Sequence, residues 1–600
     1  MGIVGVEQAK AYGSAGDLPG LLRAMESTDP DVREEAMQWL GSATYHDDGL
    51  ALSITGAVPR LARLVLGGPG HRVDLLRLLA GLARRSDWPD AAQPARRAVA
   101  DALPPLLPLA HDADTDVRDA TVLLIGASGR RDTLPLLWTR LERETDPLVR
   151  AHLVTALGLL EPGDGAWRHG LLTDPEPRVA LAAAEDLLRT AGVPLPAPLV
   201  DRCARAFTAD PHEPDGTLWP APHTVFTERL LDDAEAALRA LAGGVPIAYE
   251  ITGRWRDREA DVLPWALAET GAHENWGLDQ LAQLTCALPV ALHARVRDHV
   301  LPQLASGDPR IRAAAVAVLA RARAPRAVEE AVRLVEELPG RYDTARAARA
   351  VADEFGAAAV PVARAVARRL RDGHPHLVEV LARFPEPAVA AVDDLVALLA
   401  RTGTGYPPVV VALFDRLGPA AAGDAAERAL MACVTERAHS SVSAVAGVAY
   451  HRVTGDPGPA LSFFREEMTA FHPSLTMEWA SRLGPAAAPL LPFIEPSLTR
   501  DGTASAALAV WRITGRTEDT LEPLAREAMR WQRIYDGLTH PVSTLTEMGL
   551  LPRFAVEPLR RGAASRRRVV HDFMTGPEPH ADDVSRTAVR RLLDTARIVD

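Results

Sequence analysis

Four tryptophans and two His-Glu pairs crowd one stretch of the chain. Trp219, Trp255, Trp265 and Trp276 place four of the eleven tryptophans within 58 residues, and His212-Glu213 and His273-Glu274 fall in the same stretch. Indole rings combine a large apolar area with one N–H donor, which suits them to anchor interfaces. His212, Trp219, His223, Trp255 and Trp276 are therefore the candidate partner-binding residues. The plainer reading is that these aromatics pack as local core at an irregular junction. A His-Glu pair could contribute to a metal centre, but only two pairs occur and the first lies among prolines. No HExxH helix is present and the 18 histidines have no repeated ligand spacing, so neither a metal site nor a cofactor is expected.

A second group is cationic. Arg553, Arg560, Arg561, Arg566, Arg567 and Arg568 face only Glu557 between positions 551 and 571. Arg566, Arg567 and Arg568 could form a docking patch for an acidic partner, although such a run also reads as a solvated helical face. The remaining composition mostly excludes. The chain has a single lysine, Lys10, against 65 arginines, and Lys10 lies in no motif. Phosphate-binding P-loops, kinase folds and Schiff-base enzymes all need a placed lysine, so these classes are not expected. Gly-x-Ser-x-Gly is absent, and Cys203 and Cys286 have no neighbouring histidine. No catalytic residue is assigned.

Charge and cysteine usage bound the setting. The net charge of −13 divides unevenly: residues 1–300 carry 29 basic and 43 acidic side chains, and residues 301–600 carry 37 and 36. An acidic first half repels phosphate backbones, so nucleic acid is not an expected partner. Three widely spaced cysteines in 600 residues exclude a disulfide framework and fit a reducing cytoplasm. No signal peptide or membrane span is read, and a cytoplasmic monomer that binds a protein partner is expected.

The elements that must position these groups come from a repeat. Asp29-Pro30-Asp31-Val32-Arg33 recurs as Asp114-Thr115-Asp116-Val117-Arg118, Asp146-Pro147-Leu148-Val149-Arg150 and Asp308-Pro309-Arg310-Ile311-Arg312, with a partial copy at Glu176-Pro177-Arg178-Val179. Aspartate accepts from the open amides of a first helical turn, and proline at the first helical position sacrifices no hydrogen bond. Each motif therefore starts a helix. Its branched residue opens an apolar stripe, as in Val149, Leu153, Ala156 and Leu160, and a second stripe such as Leu134, Leu137, Trp138 and Leu141 comes before it. One helical hairpin cannot bury both stripes, so hairpins must stack. Tyr249-Glu250-Ile251-Thr252-Gly253, Arg452-Val453-Thr454-Gly455 and Trp511-Arg512-Ile513-Thr514-Gly515 extend the repetition, each glycine being read as the left-handed residue that ends a helix.

On these Asp-Pro-x-Val-Arg motifs the chain resembles HEAT-repeat proteins, which implies an all-α superhelix of the armadillo type. About 13 to 16 hairpins are expected at the repeat length of that class. The opening segment, from Ala11 through His46-Asp47-Asp48-Gly49 to Pro59, is similar to actinobacterial HEAT proteins of unassigned role, and the name of the HEAT-like bilin lyases is often attached to such repeats, although nothing beyond the repeat points to chromophore chemistry. The resemblance implies that the motif's Asp and Arg form a ladder between adjacent repeats, giving Arg33, Arg118, Arg150 and Arg312 structural roles. Three segments result: an acidic array at 1–195, divergent repeats at 196–300 with a Pro/Trp/His-rich loop at 208–226, and a second array at 301–600 with the basic segment 551–571. The expected function is a protein-interaction scaffold. The alternative is an enzyme or nucleic-acid-repair protein of lyase or glycosylase type. The HEAT-like di-iron deoxyhypusine hydroxylases, built on His-Glu pairs, are a poor match, and the acidic first half departs from the basic groove of HEAT-like DNA glycosylases.

Overall fold

The structure is a computed structural model and describes residues 18–46, 48–68, 70–84, 89–163, 165–209, 222–270, 274–372, 375–401, 408–435, 440–470, 473–501, 503–530, 539–569 and 578–600. Among them the chain is all-α, with 35 α-helices and many short 3-10 segments between them. It divides into two compact units, Met1–Ile247 and Ala248–Asp600. The division falls inside the segment read from sequence as divergent.

In the first unit, helices Arg72–Arg84, Thr115–Ser128, Pro147–Leu160 and Pro177–Thr190 pack side by side in chain order, and shorter helices such as Leu134–Leu141 form the companion layer. The motif begins helices Thr115–Ser128 and Pro147–Leu160 as expected, while the partial copy at Glu176 gives no side-chain cap. Asp146 accepts from the Leu148 and Val149 amides at 3.0 and 3.1 Å, with Pro147 in the first turn. Asp114 and Asp308 cap their helices in the same way. Val149, Leu153, Ala156 and Leu160 are buried, as are Val117, Ala120 and Leu124. The small residues matter because the helices approach closely. A methyl group built on Gly126 would stand 3.0 Å from the Ala156 Cβ, which is too near for a larger side chain without a shift. High alanine and low aromatic content are suited to such a tightly spaced helix layer.

The expected ladder needs one correction. Two of the motif arginines, Arg118 and Arg150, tie adjacent repeats through the acid in the turn ahead of the next motif, and not through the motif aspartate, whose oxygen is occupied by capping, while Arg312 lies near the acid that ends the following helix. Arg118 bonds Glu144 at 3.1 Å and the carbonyls of Asp112 and Ala113, Arg150 bonds Asp174 at 2.8 Å, and Arg312 lies 3.9 Å from Glu337. Arg33 instead donates to the Ser27 carbonyl at 2.8 Å, in the turn ahead of its own motif. Glu144 is nearly sealed from solvent, and that burial works to raise its pKa. Hydrogen bonds from Arg118, the Asp146 amide and Arg140 outweigh it and hold the carboxyl at about 2. A second buried node lies one repeat later. Arg168, 1% exposed, bonds Asp186 and the Glu161 carbonyl, and its guanidinium lies 4.4 Å from the centre of the Trp167 ring.

In the second unit, helix Pro309–Arg321 packs between Glu274–Ala287 and Tyr342–Phe355, Pro408–Leu417 packs on Ser440–Thr454, and Pro473–Ser481 packs on Ala504–Thr514. Two of the three glycines read as helix ends are left-handed, Gly455 at φ 82° and Gly515 at φ 75°. Gly253 is not: helix Ala248–Arg254 runs through it, and the left-handed residue is Asp257 at φ 62°. The strand content is slight. Leu550–Pro552 pairs in parallel with Arg597–Val599, with Leu551 opposite Ile598. No helix among the described residues is long and apolar enough to cross a membrane.

Candidate functional site

One member of the aromatic group, Trp255, meets the arginine run in the second unit. Helix Ala248–Arg254 ends at Arg254, and Asp257 turns the chain into helix Glu259–Glu269. More than 300 residues later, helix Arg553–Ala564 ends at Ser565, whose hydroxyl accepts from the Arg567 amide and holds the next residues extended. These two short extended stretches pair antiparallel. Arg256 N–H donates to the Arg566 carbonyl at 2.9 Å, Arg568 N–H donates to the Arg254 carbonyl at 2.8 Å, and Trp255 stands opposite Arg567.

Side chains lock this pairing from beneath. The Arg568 guanidinium, 2% exposed, donates to the Thr252 carbonyl at 2.6 Å, to Asp583 at 2.7 Å and to Glu259 at 2.9 Å. Arg256 reaches the other oxygen of Asp583 at 3.1 Å. Arg586, fully buried, bonds Asp582 and the carbonyls of Gly562, Ser565 and Arg567. A cation at these carbonyls matches the negative end of helix Arg553–Ala564. Asp582 also accepts from the Val569 amide, and the His580 imidazole accepts from the Asp582 amide to cap helix Ala581–Thr595. Three arginines thus face three carboxylates in a mostly dry setting. Burial pushes the Glu259 carboxyl above its usual range, with Arg568 pulling the other way. Such a network stabilises little over apolar packing, yet it tolerates no missing member.

The arginine triplet is therefore divided by its surroundings. Arg566 and Arg567 are exposed, whereas Arg568 is 4% exposed and spends its charge on internal carboxylates. Trp255 is half-buried beside them. The outer side of this clasp carries the half-buried Trp255 opposite the exposed Arg567, with the exposed Arg566 next in the chain, residue types suited to binding. Of the other candidates, His212 and Trp219 lie outside the described residues, as do His273 and residues 1–17. His223 and Trp276 fall on helices Pro222–Leu230 and Glu274–Ala287, and their side chains lie outside the description. Helix Pro222–Leu230 shows that the region expected as loop at 208–226 is helical from Pro222, while Thr208 and Ala209 belong to helix Ala197–Ala209. The inward partners of Arg568, namely Glu259, Asp582 and Asp583, and Arg586, which pairs with Asp582, were not singled out from sequence. An arginine run gives no sign of which member turns inward.

Among the described residues no group of three or more His, Cys, Asp or Glu is placed to hold a metal ion. The three cysteines are free thiols, and burial pushes the Cys286 thiol up to about 11, away from nucleophilic character.

Comparison with known proteins bears on the fold. Residues 57–158 match a family model described as HEAT repeats. A search of curated proteins finds no match. Among solved structures, importin beta crystallised in an ammonium sulfate condition is similar at 12% identity and TM-score 0.54, covering 96% of this chain and 87% of that one. The karyopherin Kap121p bound to the SUMO protease Ulp1p aligns at 11% identity and TM-score 0.49, covering 96% and 76%. With capped helical hairpins, an arginine–acid ladder, a HEAT-repeat match over residues 57–158 and the likeness of fold to importin beta, the chain has the fold of an all-α solenoid that carries HEAT repeats in its first unit.

Proposed function

We propose that this chain is a protein-interaction scaffold and that it takes an acidic segment of a partner on the clasp around Trp255, Arg566 and Arg567. The observation that carries the reading is the pairing of Trp255 with Arg567, which joins an aromatic and a cationic group far apart in sequence. Tryptophan and arginine together are the residue types most enriched where interface energy concentrates. The fold supports the reading in general terms, since stacked hairpins expose long surfaces without any need for chemistry. A polyanion such as nucleic acid is disfavoured by the net charge of −13, so a short acidic peptide segment is the better match. His212, Trp219, His223 and Trp276 remain in the proposed contact set on their residue types and spacing alone.

The test is affinity capture from the native host with the full chain, its Arg566→Glu/Arg567→Glu variant and its Trp255→Ala variant. Arg568 is left intact so that the clasp stays closed. The expected result is a protein partner captured at low salt, lost in both variants and released as salt is raised, because an exposed charge pair is screened within ~8 Å at physiological ionic strength. A partner retained by both variants and indifferent to salt would overturn the assignment. A separate deletion of residues 209–223 tests the sequence-derived contacts in the same assay.

A further inference from the structure

The first unit holds a depression of about 470 Å³ that shares no residue with the clasp. It opens where two helices of unequal length flank helix Pro177–Thr190. Helix Ala166–Leu171 has 6 residues and helix Ala197–Ala209 has 13. At about 1.5 Å per residue the first falls short of the second by roughly 10 Å, enough to leave the last turn of helix Pro177–Thr190 incompletely covered. Leu172, Leu187, Pro196 and Leu199 make its walls, and His169 and Arg202 stand at the exposed rim.

The polar groups around it are unequal. The Thr190 hydroxyl is spent on the carbonyls of Asp186 and Leu187. The carbonyls of Leu188 and Ala191, which would otherwise present the negative end of the helix, accept from Arg229. Arg202 differs: among the described residues its guanidinium has no hydrogen bond and no carboxylate partner. The site therefore combines apolar walls, capped carbonyls and one uncommitted cation at the mouth. Its volume lies within the 300–1,000 Å³ of small-molecule sites.

We infer that this depression binds an apolar monocarboxylic acid, with the hydrocarbon against Leu172, Leu187 and Leu199 and the carboxylate on Arg202. A guanidinium–carboxylate pair is the strong polar contact available here, and it fixes the ligand's direction. Linear acids of about ten carbons fit within such a space without needing a second polar group.

The probe is decanoate, with decanol as the uncharged control, titrated into the full chain by calorimetry. Decanoate is expected to bind saturably with Kd on the order of 0.1 to 1 mM, as suits a ligand of this size. Decanol is expected to bind about tenfold more weakly, the usual loss of one charge-assisted hydrogen bond. Arg202→Gln, an exposed change that leaves packing alone, is expected to bring decanoate down to the decanol value and to leave decanol unchanged. Leu199→Trp is expected to fill the space and abolish both. Equal affinities for the two probes, decanoate binding unmoved by Arg202→Gln, or no saturable binding at all would each overturn the proposal. The last result, accompanied by protection of residues 187–202 on adding a captured protein, would identify the depression as a protein contact instead.

Discussion

Replacing Arg568 with methionine keeps most of the side-chain volume and removes the charge from the centre of the clasp. The guanidinium meets Glu259, Asp583 and the Thr252 carbonyl, and Glu259 has only 6% of its side chain exposed. Stranding one member of a buried pair costs about 3 to 5 kcal/mol. Asp583 is more exposed, at 27%, and keeps Arg256, so the lower end, about 3 kcal/mol, is expected. At ~1.4 kcal/mol per tenfold, local opening becomes more frequent by on the order of 100-fold. Hydrogen exchange read by mass spectrometry reports that opening directly, and it avoids assuming two-state unfolding of a long array. The amides of Arg256 and Arg568, which close the antiparallel pairing, should exchange faster by that factor, while helix Pro309–Arg321 should not change. The defect also has a pH signature. Burial already raises the Glu259 pKa, and losing Arg568 raises it further. A carboxyl with a raised folded pKa favours the folded state when protonated and costs stability as pH rises through that value. The difference between variant and wild type should therefore grow as pH rises above the ordinary carboxyl value of 4.5 and shrink as pH falls toward it. Adding Glu259→Gln should recover most of the loss. Exchange within about threefold of wild type at the clasp, or acceleration spread evenly over the unit, would show that Arg568 does not hold the pairing closed.

Glu144 tests the ladder with the opposite sign. Its folded pKa of about 2 lies below the ordinary 4.5, so its contribution is present above 4.5 and lost as pH falls toward 2; Glu144→Gln should flatten the acid-unfolding curve in that window, with about 3 kcal/mol lost at neutral pH by circular dichroism. Glu185 should behave differently, because burial and Asp186 raise its pKa well above 4.5 and one of its oxygens has no partner. Glu185→Gln should make thermal stability less sensitive to rising pH, and an unchanged pH slope would count against a protonated buried Glu185. Gly515→Ala should cost about 1 kcal/mol in urea melts because φ 75° strains any side chain, whereas Gly253→Ala, inside a helix with open space around it, should stabilise by about 0.5 to 1 kcal/mol.

The contrast between Gly253 and Gly515 marks how far local pattern reaches. Both end the same short motif, yet only one ends a helix, since the path of the chain beyond Arg254 is decided by a strand partner from residues 565–568. The ladder has the same lesson at shorter range: the aspartate of each motif was legible as a cap, and its capture by its own helix is why the next repeat must supply another acid for the arginine.

The repeating helical hairpin could be read from residue order alone, because its causes lie within a few residues. Asp-Pro starts a helix wherever it sits, and stripes at helical spacing force stacking. The acidic first half and the single lysine are likewise legible in composition alone, and they set which partners and chemistries are not expected. Packing settled the site. It turned Arg568 inward and left Arg566 and Arg567 outside, set Trp255 beside them, and opened a depression where one helix is short. None of these can be deduced from spacing along the chain. Each depends on which distant backbone groups and carboxylates a guanidinium meets once the helices have packed.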